Sequence, residues 1–177
     1  MDSEQKLKIK KSKTKDIKNE LQFILLKRLS DNFPATELRS KTSQQKAFSH
    51  NKYWISYIED ENQNLLGFML WWDFNQIRFI EYLFVEKDCR HNGIGSELLK
   101  SCFVMEIPII IEVEKDSSVE EFYIKNGFLK NKVLYEPIPL QDGRIVEAYS
   151  IYSYKSPLDF KTFNFFEFII HQDEYQF

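Results

Sequence analysis

Residues 80–95, IEYLFVEKDCRHNGIG, constrain this chain more than any other stretch. A compact apolar strand pattern runs into a polar loop that ends in Gly93-Ile94-Gly95. SELLKSC then follows, with Ile94, Leu98, Leu99, Cys102 and Phe103 on one side of a short helix over residues 95–104. A glycine bend between a strand and a helix N-terminus turns several backbone N–H groups one way. The helix dipole adds to them, so the arrangement suits a phosphate. Arg90, His91 and Asn92 lie at its rim. The stretch lacks the lysine and hydroxyl of a P-loop and the three glycines of a dinucleotide fingerprint. Taken alone, it reads equally well as a tight turn using glycine for its φ freedom.

The flanking pattern is mixed. Residues 7–13 alternate as a first strand, and Thr14 offers a helix N-cap before the 3.6-residue period of Ile17, Leu21, Ile24, Leu25 and Leu29. Phe33-Pro34 stops that helix. Residues 35–48 are weakly helical and polar, which fits a mobile wall over a site or a surface connection. From Lys52 the period changes to two. Strands at 53–59, 65–74 and 77–85 form a meander, the first two as an antiparallel hairpin. Residues 108–114, PIIIEVE, read as a buried strand, 119–125 as a helix stopped by Asn126-Gly127, and 129–138 with 145–154 as a second hairpin. The order β-α-α-β-β-β-α-β-α-β-β predicts an α+β fold with a mixed, mostly antiparallel central sheet and flanking helices. Residues 1–155 are expected to form one domain. Residues 156–177 are an aromatic-rich extension, with Phe160, Phe163, Phe166 and Ile170 on one helical face, packing on the domain or on a partner subunit.

Composition narrows the function classes. A net charge of -3 gives no overall basic field for nucleic acid, although the N-terminus is lysine-rich. No apolar run reaches the length of a membrane span. The two cysteines, Cys89 and Cys102, make no disulfide framework, and the three histidines and two cysteines form no metal motif. The expectation is a cytoplasmic protein with reduced thiols that binds neither nucleic acid nor membrane.

Arg90-His91-Asn92-Gly93-Ile94-Gly95 resembles the Arg/Gln-x-x-Gly-x-Gly/Ala signature of the GNAT superfamily of N-acetyltransferases. About thirty residues on, Phe122-Tyr123-Ile124-Lys125-Asn126-Gly127-Phe128 resembles that family's Tyr-x-x-x-Gly-Phe segment. Phe33-Pro34 stands where many members carry a similar pair. The resemblance covers roughly residues 5–155. It departs at Asp116, where the family often has Asn, and at Val119, where it usually has a small residue. The hydrogen bond that Asn gives the pantetheine arm therefore falls to Asp116 or is lost.

The resemblance implies a GNAT-like fold and acyl-CoA-dependent N-acyl transfer, with acetyl-CoA or another acyl-CoA as donor. The amine would attack the thioester directly within a ternary complex. Backbone groups of Leu83, Phe84 and Val85 would follow the pantetheine, and amides of Arg90, His91, Asn92, Gly93, Ile94 and Gly95 the pyrophosphate. The amine must lose a proton, and Glu81, a carboxylate inside an apolar strand, is the candidate base or water-ordering group. A sheet-face charge is the plain alternative. Glu112 and Glu114 are weaker candidates. Tyr123 would protonate the leaving thiolate, or else is a core tyrosine. Trp54, Trp71, Trp72 and Phe74 border the acceptor side or fill the sheet core, and Trp71 and Trp72 face opposite ways. The acceptor is a small-molecule or protein amine, and a homodimer through the tail is one arrangement the sequence allows. A non-catalytic acyl-CoA-binding regulator or a partner-binding module is the alternative function.

Overall fold

The computed structural model describes residues 8–35, 37–104, 106–114, 118–134, 149–159 and 161–164. The elements are β1 (Ile9–Lys13), α1 (Asn19–Asn32), α2 (Lys41–Phe48), β2 (Tyr53–Glu59), β3 (Leu65–Asp73), β4 (Arg78–Val85), α3 (Ile94–Ser101), β5 (Ile109–Glu114), α4 (Glu120–Lys125), β6 (Phe128–Leu134) and β7 (Tyr149–Tyr154). This is the order expected from periodicity. The strands form one seven-stranded sheet in the order β1-β2-β3-β4-β5-β7-β6. Every pairing is antiparallel except that of β4 with β5.

Alternation along the strands builds two apolar layers. On one face, Tyr53, Ile55, Phe68, Leu70, Trp72, Ile110 and Ile151 meet Leu25 and Leu29 of α1 and Ala47 and Phe48 of α2. On the other, Met69, Trp71, Ile80, Ile109, Ile111 and Tyr152 meet Ile94, Leu98 and Leu99 of α3 and Tyr123 of α4. Trp71 and Trp72 do face opposite ways, and both are fully buried.

Two helix boundaries differ from the sequence reading. Thr14 does not cap α1. It lies buried in a 3-10 turn, where its hydroxyl sits 2.8 Å from the Phe48 carbonyl and 3.2 Å from the Tyr53 carbonyl. Its single proton is spent tying the end of α2 to the start of β2, so α1 begins five residues later at Asn19. Helix α3 stops at Ser101 rather than Val104. Lys11 Nζ lies 3.4 Å from the Ser101 carbonyl, and Arg78 Nη1 donates to the Cys102 carbonyl at 2.5 Å. These cations satisfy the helix's last acceptors and complement its dipole there.

The β3–β4 ladder carries a bulge. Leu70 pairs with Tyr82 and Trp71 with Ile80, leaving Glu81 opposite no residue. The extra residue resets the alternation of β4. Phe79, Tyr82 and Phe84 face α1 and α2, whereas Ile80, Leu83 and Val85 face α3 and α4.

Candidate active site

The parallel pairing of β4 and β5 is short. It runs Arg78–Ile109, Phe79–Ile110 and Ile80–Ile111, then ends, although both strands continue. Beyond Ile80 the two strands diverge, and the bulged Glu81 is the first residue past the last pair. The unpaired stretch between the two strands past that point is the slot. The sequence-predicted residues fall on opposite sides of it.

On the α3/α4 side lies the glycine loop. Gly93 precedes α3 with a φ of 78°, and His91 has a φ of 64°, so the loop bends through two left-handed positions. The Gly93 carbonyl accepts the Glu97 amide at 3.0 Å, the first turn of the helix. Among the described residues, the amides of residues 91–96 find no acceptor. A Cβ on Gly93 would meet no heavy atom within 4 Å, whereas one on Gly95 would lie 3.0 Å from the Phe122 ring and 3.7 Å from Val85 Cγ2. Gly95 is therefore required by close packing and Gly93 by backbone conformation. Arg90 is exposed and donates through Nε to the Val85 carbonyl at 3.2 Å, folding the loop back on the end of β4. These open amides and the absence of a side chain at Gly93 fit a pyrophosphate.

Tyr123 of α4 is on the same side, buried among Ile80, Ile111 and Leu98 and edge-on to Phe122 and Phe128. Burial pushes its phenol well above the usual range. No hydrogen bond to its hydroxyl is found among the described residues. Asp116 lies outside the described residues, as does the side chain of Glu114.

On the α1/α2 side, Glu81 anchors a polar cluster inside the aromatic layer. Arg39 Nη2 is 2.6 Å from Oε1, while Tyr53 Oη donates to Oε2 at 2.5 Å and Trp72 Nε1 at 3.0 Å. Tyr53 stacks on Trp72 at 4.3 Å, and Trp72 on Phe74 at 5.7 Å. Burial, and then the Glu81 charge, push the Tyr53 phenol far upward. Tyr82, raised by burial and by Glu81, donates to the Glu37 carbonyl at 2.8 Å. Phe33, Glu37 and Arg39 are thus fastened to β4. Alternation on β5 sets Glu112 on the same face as Ile110, so Glu81 and Glu112 stand on opposite lips of the slot.

Arg39 and Tyr53 escaped the sequence reading. Arg39 lies in an unpatterned stretch 42 residues from its partner. The one available signal was Glu81 itself, a carboxylate in an apolar strand that calls for a cation and donors. Trp54 and Trp71 stack at 5.6 Å on the other face, away from Glu81, with Lys11 and Arg78 against Trp71 at 4.7 and 4.9 Å. Cys102 is buried, its thiol pushed up to about 12 by burial, and Cys89 is half-buried. His50 accepts the Lys52 amide through Nδ1 at 3.1 Å. Among the described residues no metal-ligand cluster is present, and no helix is long and apolar enough to cross a membrane.

A family model described as the acetyltransferase (GNAT) domain matches residues 49–130, the stretch that holds the slot, the glycine loop and Tyr123. Residues 49–130 are a GNAT domain. The whole chain has the GNAT fold. A GNAT-family protein of Bacteroides thetaiotaomicron superposes with a TM-score of 0.74 at 20% identity, covering 97% of this chain and 99% of that one. An acyl-CoA N-acyltransferase of Pseudomonas aeruginosa superposes with a TM-score of 0.61 at 14% identity, covering 84% of this chain and 99% of that one. In sequence, the Bacillus subtilis protein YjbC, named for acetyltransferase activity, is 30% identical over 87 residues. That match spans 49% of this chain and 43% of the relative's own length.

Proposed function

We propose that this protein is an acyl-CoA-dependent N-acyltransferase that moves an acetyl group from acetyl-CoA to a primary amine. The observation carrying the proposal is the slot past Ile80 and Ile111, with an anion-suited loop on one side and a carboxylate cluster on the other. The donor supplies an activated thioester carbonyl. Amides of residues 91–96, including those of His91, Asn92, Gly93, Ile94 and Gly95, hold its pyrophosphate at the N-terminus of α3. Leu83 and Val85 lie along its pantetheine path, and backbone groups of β4 freed by the divergence point into the slot. Among these, a free N–H can polarise the acyl carbonyl. Tyr123 keeps its proton at neutral pH because burial disfavours the phenolate. It can therefore donate a hydrogen bond to the departing thiolate, which takes up the proton that the attacking amine releases through water.

The acceptor approaches from the α1/α2 face. Glu81 already receives Arg39, Tyr53 and Trp72, so taking a proton directly from the amine would break one of those contacts. Its role here is to orient the amine or a water at the slot, and the proton leaves through that water. Glu112 on the opposite lip adds a second carboxylate for an amine to approach.

The test measures release of free CoA from acetyl-CoA over a panel of primary amines, corrected for hydrolysis. Amine-dependent release, depressed by Tyr123→Phe with CoA affinity retained, is the expected outcome. CoA binding without amine-dependent release in the wild type would overturn catalysis and leave a CoA-binding regulator.

A further inference from the structure

After β7 the chain returns across the sheet. Lys155 takes a φ of 63°, and its amide donates to the Gly127 carbonyl at 2.8 Å. Asn131 of β6, buried, then holds the returning strand. Its Oδ1 accepts the Leu158 amide at 2.8 Å, and its Nδ2 lies 3.2 Å from the Ile151 carbonyl and 3.1 Å from Ser153 Oγ. Ser153 Oγ donates in turn to the Ser156 carbonyl at 2.5 Å. Asp159 opens a short helical turn, its carboxylate accepting the Thr162 amide at 2.7 Å. Leu158 and Phe163, each half-buried, pack against the core layer on the α1/α2 face.

Strand alternation confirms which face this is. Lys130 reaches Glu120 of α4 on one side of β6, so its neighbour Asn131 points to the other, with Ile151 and Ile110. The α1/α2 face therefore has two covers. Residues of α1, α2 and segment 33–40 reach β2 and β4, through Phe48 on Tyr53, Phe33 on Tyr82 and Arg39 on Glu81. Residues 156–159 and 161–164, through Leu158 and Phe163, cover the β7 and β6 side. The slot between β4 and β5 lies between the covers. The domain match ends at residue 130, so this second cover lies beyond it.

We propose that residues 156–159 and 161–164, clamped by Asn131, form the second wall of the acceptor side, and that Leu158 and Phe163 select amines carrying an apolar substituent. The inference rests on the acyltransferase reading. Glu81 and Glu112 at the lips meet the amine, while the wall beyond β5 offers apolar surface through Leu158 and Phe163. An arylalkyl amine covers that surface as its amine reaches the slot. A polyamine of similar length brings a second charge to the same place and gains nothing from it. Asn131 is a positioning residue, because it acts only by holding the segment.

The experiment compares wild type, Phe163→Ala and Asn131→Asp with 2-phenylethylamine and spermidine as probes, reading CoA release, and reads CoA affinity by calorimetry. Asn131→Asp keeps the acceptor for the Leu158 amide and removes both Nδ2 donations, so it loosens the clamp without emptying the core. Wild type is expected to prefer 2-phenylethylamine. Phe163→Ala is expected to raise its KM about ten-fold, with spermidine kinetics and CoA affinity unchanged. Asn131→Asp should move KM in the same direction by less. Equal changes for both amines, an unchanged KM, or a parallel loss of CoA affinity would overturn the wall. If wild type binds CoA yet turns over no amine, the acyltransferase reading fails instead. Calorimetric binding of 2-phenylethylamine to the CoA-loaded protein then decides the wall: Phe163-dependent binding supports it and no binding overturns it.

Discussion

Replacing Glu81 with Gln, alone and together with Arg39→Met, separates the structural work of this carboxylate from any chemical one. The side chains of Glu81 and Arg39 are 6% and 12% exposed. Glutamine can offer one oxygen to Tyr53 and Trp72, as Oε2 does now, but its amide NH2 then faces the Arg39 guanidinium, donor against donor. Removing one partner of a buried ion pair costs about 3–5 kcal/mol. Arg39 retains some access to water, so Glu81→Gln should cost about 3 kcal/mol. Arg39→Met leaves Glu81 two donors and should cost about 2 kcal/mol. In the double variant the amide no longer faces a cation. The total should stay about 3 kcal/mol rather than reach the sum of about 5, a coupling of about 2 kcal/mol. Urea denaturation followed by tryptophan fluorescence reads this directly, since Trp72 donates to the cluster. Strict additivity, or a cost for Glu81→Gln below about 0.5 kcal/mol, would refute the cluster as drawn. It follows that a loss of turnover in Glu81→Gln is evidence about proton transfer only when corrected for the folded fraction.

The two loop glycines should fail for different reasons. Gly93→Ala meets no atom but must hold a φ of 78°, costing about 1 kcal/mol and weakening CoA binding, with Gly93→Asn milder. Crowding within the fold has no part in it. Gly95→Val collides with Phe122, costing about 1–3 kcal/mol, and Phe122→Ala in the same chain should relieve it; calorimetric CoA titration and urea midpoints distinguish the two sites. On the alkaline side, Cys102 is buried neutral with its thiol raised from 9.0 to about 12. The unfolded chain sheds that proton first. The thiol's contribution to stability is therefore complete below about pH 9 and lost as pH rises toward 12. Cys102→Ala should flatten the fall in urea midpoint between pH 8 and about 10.5, and an unchanged slope would remove the thiol from the account.

The meander was legible in the sequence because Tyr53 to Glu59 and Leu65 to Asp73 alternate without interruption, and each strand's partner is its chain neighbour. The glycine loop was legible because its bend and its open amides come from consecutive residues. Thr14 was misread for the opposite reason. A hydroxyl with local capping preference was taken by two carbonyls more than thirty residues away, and nothing near it in the chain records them. Arg39 shares that difficulty, in a segment with no apolar stripe to place it. The bulge left a trace that simple alternation hides. Phe79, Tyr82 and Phe84 share a face, as do Ile80, Leu83 and Val85, so each series carries one step of three among its steps of two.

That bulge is what lets the two sides of the molecule meet. Unbroken alternation from Phe79 would keep Glu81 on the α1/α2 face but turn Tyr82 to the other face, away from Glu37. With it, Glu81 and Tyr82 both face α1 and α2 where β4 leaves β5, the carboxylate meeting Tyr53 and Trp72 and the phenol the Glu37 carbonyl. On the opposite face, the two motifs that look separate in the sequence are in contact: the Phe122 ring covers the Cα of Gly95, which holds α4 and Tyr123 against the loop at the head of α3. The proposed donor side is therefore built from one loop and one short helix joined by a glycine contact. The proposed acceptor side is assembled from residues 37–40, the start of β2 and the end of β3, the lips of β4 and β5, and a returning segment pinned by Asn131. A loop that binds through its backbone tolerates few residues and so is readable in one chain. A surface built from side chains on six separate elements can change one residue at a time, which is why the sequence speaks for the donor before it speaks for the acceptor.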